Sequence, residues 1–346
     1  MNQSKEMKTI TLKEIANQLE LSVTTVSKAL KAYPDVSKKT RDRVKTLAEK
    51  LNYVPNSFAV SLRMQKSKTI GVIVPETVHY FFSKVIDSIL KEAEKNNYVV
   101  ILMQSKEDYE LEKKQIDLLL NKGVDGILIS LSNKTSNLDH LKKIQALGIP
   151  LVLFDKIAKT INCSKVKIDD RKSAYEAVTY LIKKGHKRIA HFRGGLNPQN
   201  SIDRFLGYKK ALLDNDINFD SSLVYLCDND SDFDDGFKNA KKLIQDHGNN
   251  VDALFTMNDL LAIGALNYLN SVNINVPEDI ALIGFSNWFM SSVVTPTLSS
   301  IEQNGYEIGE KSAQILFHEI DCKFKGIITK PQQIIVDTEL IIRNSS

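Results

Sequence analysis

Beyond residue 68 the chain alternates apolar runs of strand length with amphipathic stretches of helix length, and this rhythm constrains the fold more than any other feature. In the amphipathic stretches the apolar residues recur at helical spacing. Strand and helix units that repeat in this way form parallel sheets covered by helices. The first units have predicted strands at 69–75, 98–103, 126–131 and 150–154, and predicted helices at 82–96, 109–122 and 138–147.

The same rhythm resumes after residue 169. Its predicted helices are 172–184, 204–214, 237–245 and 260–271, and its predicted strands are 188–192, 223–226, 253–256 and 280–285, with a last strand at 339–343. These strands are enough for two sheets, so we predict a body of two α/β lobes. A chain of 346 residues has room for two such lobes and a small further domain.

The first 68 residues differ from the rest in charge and in pattern. They contain 14 Lys and Arg residues against 6 Asp and Glu, a net charge of +8, whereas the remainder carries −4. A short basic head on an acidic body suggests that the head binds a polyanion, although a solvated basic face would give the same charge. Between residues 11 and 51 the apolar residues form three groups at helical spacing, which predicts three small helices. Ser22 and Ser37 precede the second and third groups as candidate N-caps.

Three small helices with a tight turn between the first two fit a helix-turn-helix. This motif needs a small residue where two helices cross, a tight turn, and a second helix whose exposed early residues reach base edges in the major groove. Ala16 supplies the small residue, residues 20–22 the turn and residues 23–28 the reading helix. The sequence therefore predicts a DNA-binding headpiece.

Several stretches of the chain resemble the LacI/GalR family of bacterial repressors. They are Ile10 to Ala16, Leu21 to Leu30, Val36 to Val44, Leu51 to Asn56, and Ser61 to Arg63 running into Lys68 to Pro75. Their order and spacing make the resemblance specific, and it covers essentially the whole chain. It implies an all-α helix-turn-helix headpiece followed by a two-lobed α/β body with parallel sheets, of the type I periplasmic-binding-protein-like kind. Glu20 departs from the family, whose turn usually carries glycine at this place.

The resemblance also implies domain bounds. We expect the DNA-binding headpiece at 8–55, a hinge helix and linker at 56–68, and an effector-binding and dimerisation module at 69–346. Within that module we expect an N-lobe at about 69–167 and 298–328, and a C-lobe at about 168–297 and 329–346.

In the family, the side chains that follow the turn contact DNA. Here Val23, Thr24 and Lys28 would read the major groove, with Ser22, Thr25 and Ser27 nearer the phosphates. Thr11, before the first helix, is a further implied DNA contact. Threonine offers a hydroxyl and a methyl group to base edges, and lysine can donate to guanine O6 and N7. An ordinary surface helix is the alternative interpretation.

The family's linker folds as a helix on operator DNA and inserts a leucine into the minor groove. By position that leucine is Leu62, and the neighbouring implied contacts are Asn56, Ala59 and Arg63. So short a helix is unstable alone in water, which makes folding coupled to DNA reasonable. A leucine between base steps costs unstacking and gives a kinked duplex. A plain tether is the alternative interpretation.

The body resembles periplasmic sugar-binding proteins, which implies that a small polar effector, often a sugar or a nucleobase, binds between the lobes. Ligands of such proteins lie beyond the carboxyl ends of the strands. Aromatic rings cover apolar sugar faces, while Arg, Asp and Asn bond to hydroxyls. The contacts carried over by motif are Phe81, Phe82, Asp155, Arg204, Asn258, Asp259, Ser286, Asn287 and Trp288.

Several of these candidates have a structural alternative. Phe81 or Phe82 can begin a core helix, Asp259 can cap the helix that follows it, and Trp288 can serve in packing. Ser286 stands where many sugar-responsive relatives place an aspartate. That departure weakens the assignment of a sugar in particular.

The chain ends soon after a plausible last strand and shows no leucine heptads there, which favours a homodimer over a tetramer built on a coiled coil. A dimer also explains how two identical headpieces read a palindromic double-stranded operator. Cys163, Cys227 and Cys322 have no CxxC spacing and the six histidines form no cluster, so no metal site, disulfide framework or cofactor is predicted. With no signal-peptide pattern and no apolar run of membrane-spanning length, we expect a cytoplasmic protein without membrane contact.

Two other functions share this scaffold. A periplasmic solute-binding protein would carry a signal peptide and no basic headpiece, and an enzyme would need catalytic residues. The sequence contains no P-loop, GxSxG elbow or GxGxxG fingerprint. We therefore expect a sequence-specific transcription regulator, by resemblance a repressor, rather than an enzyme.

Overall fold

The chain divides after Ser67 into two units, which we call the headpiece (residues 1–67) and the body (residues 68–346). A computed structural model describes residues 10–53, 66–227, 231–248 and 250–346.

Three short helices make up the described part of the headpiece, as the sequence predicted: α1 (Leu12–Leu19), α2 (Val23–Leu30) and α3 (Lys38–Lys50). The hydroxyls of Ser22 and Ser37 accept hydrogen bonds from the backbone three residues on, which confirms both predicted caps. Thr11 and Glu14 form a capping box at the start of α1. The core that the helices enclose consists of Ile15, Ala16, Val26, Ala29, Val36, Val44 and Ala48.

The turn between α1 and α2 holds Glu20 in the left-handed conformation, with φ of 56° and ψ of 41°. Its backbone N–H donates to the carbonyls of Ala16 and Asn17, and the N–H of Leu21 donates to Ala16 at 2.9 Å. These bonds close the C-terminus of α1 in the manner of a Schellman motif. Glycine adopts this conformation without the steric cost of a Cβ, about 1 kcal/mol. The family's glycine is therefore replaced at the expense of local strain, while the turn itself is kept.

The body is built of twelve described strands and eight described helices. The strands are β1 (Thr69–Val74), β2 (Val99–Gln104), β3 (Gly126–Ile129), β4 (Leu151–Phe154), β5 (Ser164–Ile168), β6 (Ile189–Arg193), β7 (Val224–Leu226), β8 (Ala253–Thr256), β9 (Ala281–Phe285), β10 (Ser299–Glu302), β11 (Gln333–Val336) and β12 (Glu339–Ile341). The helices are α4 (Tyr80–Lys95), α5 (Tyr109–Asn121), α6 (Asp139–Ala146), α7 (Asp170–Lys183), α8 (Gln199–Asp214), α9 (Asp232–His247), α10 (Asp259–Ser271) and α11 (Gly305–Phe324).

The strands form two six-stranded sheets of the same design. The first has the order β11-β5-β4-β3-β1-β2 and the second the order β12-β10-β9-β8-β6-β7. Among the strand pairs described, β10 with β12 is antiparallel and the others are parallel. The central strands are buried on both faces, which explains their continuous apolar runs. The predicted two-lobed α/β body with parallel sheets is confirmed.

The expected return crossings near residues 298 and 329 are wrong. β10 pairs with β9 in the second lobe, and β11 pairs with β5 in the first. The chain crosses after β5, between β10 and α11, and between β11 and β12. Here Asn304 Nδ2 donates to the carbonyl of Asp337 at 2.7 Å, and the hydroxyls of Ser173 and Thr338 lie 2.8 Å apart. These bonds tie the three crossings to one another.

Sequence pattern failed where polar residues interrupt an element. Four elements were not predicted: β5, β10, β11 and α11. In β10 the reason is that two buried serines, Ser299 and Ser300, interrupt the run of apolar residues. α8 and α9 each begin five residues earlier than predicted, since their first turns carry polar side chains. Strand pairing, which periodicity does not reveal, sets the bounds of the three missed strands.

The core of the second lobe contains a histidine. His191 on β6 is fully buried and stacks on the rings of Phe255 at 5.1 Å and Tyr208 at 5.0 Å. Its Nδ1 donates to the Phe255 carbonyl at 3.0 Å, and its Nε2 has no partner in the described part of the chain. Burial lowers the pKa of His191 to about 3. The ring is therefore neutral at neutral pH, as a core position requires.

We expect Glu20→Gly to raise the free energy of unfolding of the headpiece by up to about 1 kcal/mol, because the left-handed strain is relieved and the entropy of the unfolded chain offsets part of the gain. Glu20→Val, with a β-branched side chain at the same φ, should lower it by about 1–2 kcal/mol. Thermal unfolding of residues 1–67 followed by circular dichroism measures both. A valine variant as stable as the wild type would contradict the strained turn.

We expect acid to destabilise the wild type more than His191→Phe. The unfolded histidine takes up a proton below pH 6.5 while the folded one stays neutral to about pH 3, so stability present above pH 6.5 is lost as the pH falls. Urea unfolding at pH 7.5 and 5.0 should show a loss that is smaller by about 2 kcal/mol in His191→Phe. Equal losses in the two proteins would show that His191 titrates normally.

Candidate functional site

The reading helix α2 turns its apolar side to the headpiece core and its other side to solvent. Val26 and Ala29 are buried, whereas Val23 is 44% exposed and Thr24 is exposed as well. Ser22 Oγ accepts from the backbone N–H of Thr25 at 3.0 Å. This places hydroxyls and free N–H groups at a helix N-terminus, where phosphates bind. Of the predicted DNA contacts in this region, Ser22, Val23 and Thr24 are thus exposed and Thr25, Ser27 and Lys28 are partly exposed.

Lys28, a predicted major-groove contact, forms an ion pair with Asp35 in the loop before α3. Both side chains are about half exposed, at 43% and 52%. The hydrogen bond from Lys28 holds the pKa of Asp35 below its usual range. Such an exposed pair is weak, so Lys28 can exchange Asp35 for another anionic or polar partner at little cost in free energy.

The predicted linker contacts Asn56, Ala59, Leu62 and Arg63 lie outside the described residues. Thr11 is exposed, and its hydroxyl and backbone take part in the capping box of α1.

A cavity of about 620 Å³ lies between the carboxyl edges of the two sheets of the body. The first lobe contributes the loops after β1, β2, β3 and β4 together with the start of α4, and the second lobe contributes the loops after β6, β7, β8 and β9. Parallel pairing brings all these loops to one edge in each sheet. The cleft is therefore where the fold permits a ligand site.

Six of the nine predicted effector contacts line this cavity: Phe81, Phe82, Asp155, Arg204, Asn258 and Ser286. Phe81 and Phe82 are buried and pack edge to face with ring centroids 5.1 Å apart. The two rings begin the core face of α4 and also form an apolar wall of the cleft. Their positions therefore agree with a structural role and with the predicted effector contact.

Asp155 follows β4 in the left-handed conformation, with φ of 56°. Its side chain is buried, and Ser130 Oγ donates to one carboxylate oxygen at 3.3 Å. Burial raises the pKa of Asp155 to about 6, against the nearby positive charge of Lys156. Near neutral pH the group is therefore a mostly ionised acceptor that faces the cavity.

Arg204 on α8 is fixed from three sides. Its Nε donates to Asp170 at 2.8 Å, its Nη1 donates to the Met257 carbonyl at 2.7 Å, and its guanidinium lies 3.5 Å from the centroid of the Phe285 ring. Burial raises the pKa of Asp170 despite this cation. A buried charge held in this way loses little freedom when it donates to a ligand.

Asn258 both lines the cavity and caps α10. Its Oδ1 accepts from the backbone of Leu261 at 2.9 Å, and its Nδ2 donates to Asp232 at 2.8 Å. Asn258 therefore caps this helix, and the alternative in which Asp259 provides the cap is wrong.

Asp259, Asn287 and Trp288 do not line the cavity. Asp259 is buried and accepts from Trp288 N at 2.6 Å, Ser291 Oγ at 2.8 Å and Ser300 Oγ at 2.6 Å. The backbone of residues 286 and 287 has positive φ, 109° and 45°, so the turn needs such support. The structure places Asp259 as the support of the turn that carries Ser286.

The side chains of Asn287 and Trp288 are also engaged outside the cavity. Asn287 Nδ2 donates to Glu302 at 2.9 Å and its Oδ1 accepts from Arg343 at 2.8 Å. The ring of Trp288 packs edge to face on Phe289 with a centroid distance of 5.4 Å. For Trp288, packing is the interpretation that the contacts support.

Sequence reasoning missed several residues of the cleft. His79 precedes α4, and burial lowers its pKa to about 4. Its Nδ1 and the Oγ of Ser201 are buried without a hydrogen-bond partner in the described chain. Both residues follow strands in sequence, which is the signal that could have found them. Other missed lining residues are Glu107, Asn133, Lys156, Asp232 and Gln303.

A polar network forms the first lobe's side of the cleft. Lys156 Nζ pairs with Glu107 and donates to Asn133 Oδ1 at 2.6 Å. Opposite it, Ser286 Oγ in the second lobe donates to Gln303 Oε1 at 2.7 Å. The arrangement can bind a small molecule that both donates and accepts hydrogen bonds, and each lobe contributes groups to it.

Comparison with known proteins matches two family models. Residues 11–56 match the model of bacterial regulatory proteins of the lacI family. Residues 67–343 match the model of periplasmic binding proteins and the sugar binding domain of the LacI family. Together these ranges span the described headpiece and almost the whole body.

Relatives match along nearly the full length. The chain is 32% identical over 308 residues to catabolite control protein A of Priestia megaterium, covering 89% of this chain and 91% of that protein. It is 31% identical over 348 residues to the HTH-type transcriptional repressor CytR of Escherichia coli K12, covering 100% and 99%. The structure of the lac repressor dimer bound to operator and the anti-inducer ONPF shares the fold, with a TM-score of 0.84, 23% identity and coverage of 98% and 99%.

These similar proteins are transcription regulators and not enzymes. Within the described chain, no helix is long and apolar enough to cross a lipid bilayer. With family models over both headpiece and body, and relatives above 30% identity along the whole length, the chain belongs to the LacI family of bacterial DNA-binding transcription repressors.

Proposed function

We propose that this protein is a cytoplasmic repressor that binds a palindromic operator as a homodimer, with an affinity set by a small polar effector in the cleft. One observation carries the proposal: the cavity of about 620 Å³ is lined by charged and polar side chains of both lobes, among them Asp155 from the first and Arg204 and Asp232 from the second. Side chains of this kind can bond to a small polar molecule that enters the cavity, since they offer both hydrogen-bond donors and acceptors.

The chemistry of the cleft favours a sugar or a related polar metabolite. Asp155 accepts hydrogen bonds, Arg204 donates them, and Phe82 offers an apolar face. This combination suits a molecule with hydroxyl groups around a ring. The match to a sugar-binding family model supports the same class. Because Ser286 stands in place of an acidic residue, the hydroxyl-gripping role falls to Asp155 and Asp232.

A second copy of the chain would cover an exposed apolar edge. β2 forms one edge of the first sheet, and Val99 on it is 64% exposed, with Leu102 exposed as well. β7 holds the corresponding edge of the second sheet and exposes Leu226. Unprotected apolar edges invite pairing with another chain, and a homodimer would satisfy both. The solved lac repressor named above is a dimer bound to its operator, which supports a homodimer here.

Effector binding would act by changing the angle between the lobes. The three crossings form a natural hinge, because few residues there absorb the change. In a dimer, a different lobe angle would alter the separation of the two linkers, including Leu62, and so bias their folding on DNA. An effector shifts the equilibrium between two lobe angles only by the difference in its binding free energy for the two.

We expect selection from randomised duplex DNA to return a palindromic site for the full-length protein. Lys28→Ala should weaken binding to that duplex about 10- to 100-fold at constant salt and relax base choice at one position of each half-site. Fluorescence anisotropy with the selected duplex and its single-base variants measures both effects.

The matched control for that experiment is Lys238→Ala, which removes the same charge from an exposed position on α9 of the body. It should change neither affinity nor base choice. A selection that enriches no sequence would contradict the proposed function, and equal losses in the two variants would contradict base reading by Lys28.

Effector affinity should fall as the pH drops through about 6. Asp155 is ionised above its pKa of about 6 and neutral below it, and an effector that donates to the carboxylate loses that acceptor on protonation. The loss should approach tenfold per pH unit below 6. Calorimetry at pH 7.5, 6.0 and 5.0 would use the sugar or nucleoside that most raises the melting temperature in a screen. Asp155→Asn should bind it weakly with a flat pH profile; a profile as steep as the wild type would exclude Asp155 as the cause.

A further inference from the structure

The first end of α11 lies at the cleft. Gln303, two residues before this helix, lines the cavity and accepts the hydrogen bond from Ser286. At the start of the helix, Gly305 packs against the ring of Phe81, and a Cβ at this glycine would lie 3.1 Å from that ring. A change in the position of either lobe wall therefore acts directly on the beginning of α11.

The far half of the same helix reaches another part of the first lobe. α11 has 20 residues, and Phe317 lies about 18 Å along its axis from Gly305. Phe317 is buried and its ring centroid lies 5.0 Å from that of Tyr98, the residue before β2. A packed helix moves as a rigid element, so displacement at one end arrives at the other.

Tyr98 in turn packs on the residue where the chain enters the body. Lys68 Nζ lies 4.3 Å from the centroid of the Tyr98 ring, and Lys68 N donates to the buried carboxylate of Asp125 at 3.0 Å. The Lys68 carbonyl accepts from Val99 N at 2.8 Å. Lys68 has φ of 52°, a conformation that a non-glycine residue keeps only when its surroundings impose it. These contacts thus fix the direction of the backbone at Lys68, where the linker joins the body.

We infer that α11 couples the effector cleft to the point where the linker joins the body, and that Tyr98 is the positioning residue that passes the displacement on to Lys68. The inference rests on the proposed function and adds the route by which the effector would alter DNA affinity. Neither Tyr98 nor Lys68 contacts the cavity, so their role is in coupling and not in effector binding.

A double-mutant cycle on the full-length protein tests this without any effector. Gln303→Ala alters the cleft end of α11, and Tyr98→Leu removes the ring at the other end. The readout is the Kd for the palindromic duplex recovered by the selection described above. Changes at sites so far apart add independently unless an element links them. We expect Gln303→Ala to change this Kd at least fivefold in the wild-type background, and at least threefold less in the Tyr98→Leu background.

Matched variants separate coupling from general damage. Tyr98→Phe keeps the ring and should leave the effect of Gln303→Ala unchanged. Lys68→Met removes the ammonium that lies over Tyr98 and should reduce the effect as Tyr98→Leu does. As a control, Lys91→Met removes an ammonium that lies 5.1 Å from the centroid of the Tyr306 ring, at the start of α11. This variant should leave the effect of Gln303→Ala unchanged. Circular dichroism and the melting temperature verify that each variant is folded.

Two results would overturn the inference. One is strict additivity of Gln303→Ala with Tyr98→Leu in folded proteins, and the other is a Gln303→Ala variant whose operator Kd equals that of the wild type. Both leave the proposed function standing, because the wild type still binds its duplex. Failure of the selection itself would instead remove the proposed function.

Discussion

Parallel pairing of the central strands is the constraint on which the rest of the body depends. It places every loop that follows a strand at one edge of its sheet, and the two sheets share one strand order. Side chains as distant in sequence as His79 and Gln303 therefore line a single cavity. The antiparallel pairing described involves β12, the outermost strand of the second sheet, and leaves this arrangement undisturbed.

A polar cleft between two apolar cores requires charges that are buried and yet satisfied. Arg204 is balanced by Asp170, the Met257 carbonyl and the Phe285 ring, and Asp259 accepts three hydrogen bonds that hold the turn before Trp288. A half-satisfied network would cost more than an apolar core. Two of the buried polar atoms without a partner in the described chain, His79 Nδ1 and Ser201 Oγ, belong to residues that line the cavity.

The architecture and much of the cleft could be predicted from the sequence. Prediction failed where the direction of a side chain matters more than its place in the chain. Strand and helix rhythm predicted both lobes, and the motifs located Asp155 and Ser286 directly after strands and Arg204 on α8. Spacing alone did not show that the side chain of Asp259 turns away to support the backbone. Nor did it reveal Gln303, because β10 contains polar residues and its pairing partner is set by tertiary structure. The sequence pattern predicts which residues follow a strand at the edge of its sheet, whereas tertiary packing decides which of their side chains face the cavity.

The headpiece and the body each have a core of their own, which limits how one can influence the other. The headpiece core is closed by its own caps and turn, so reading DNA does not require the body to complete that fold. Under the proposed function, an effector bound in the body would therefore alter DNA affinity through the connecting chain or through a second copy, and not by unfolding the headpiece. A connection of this kind transmits force only if its body end is anchored. The bonds that hold Lys68 to Asp125 and the ring of Tyr98 beneath its ammonium provide that anchor.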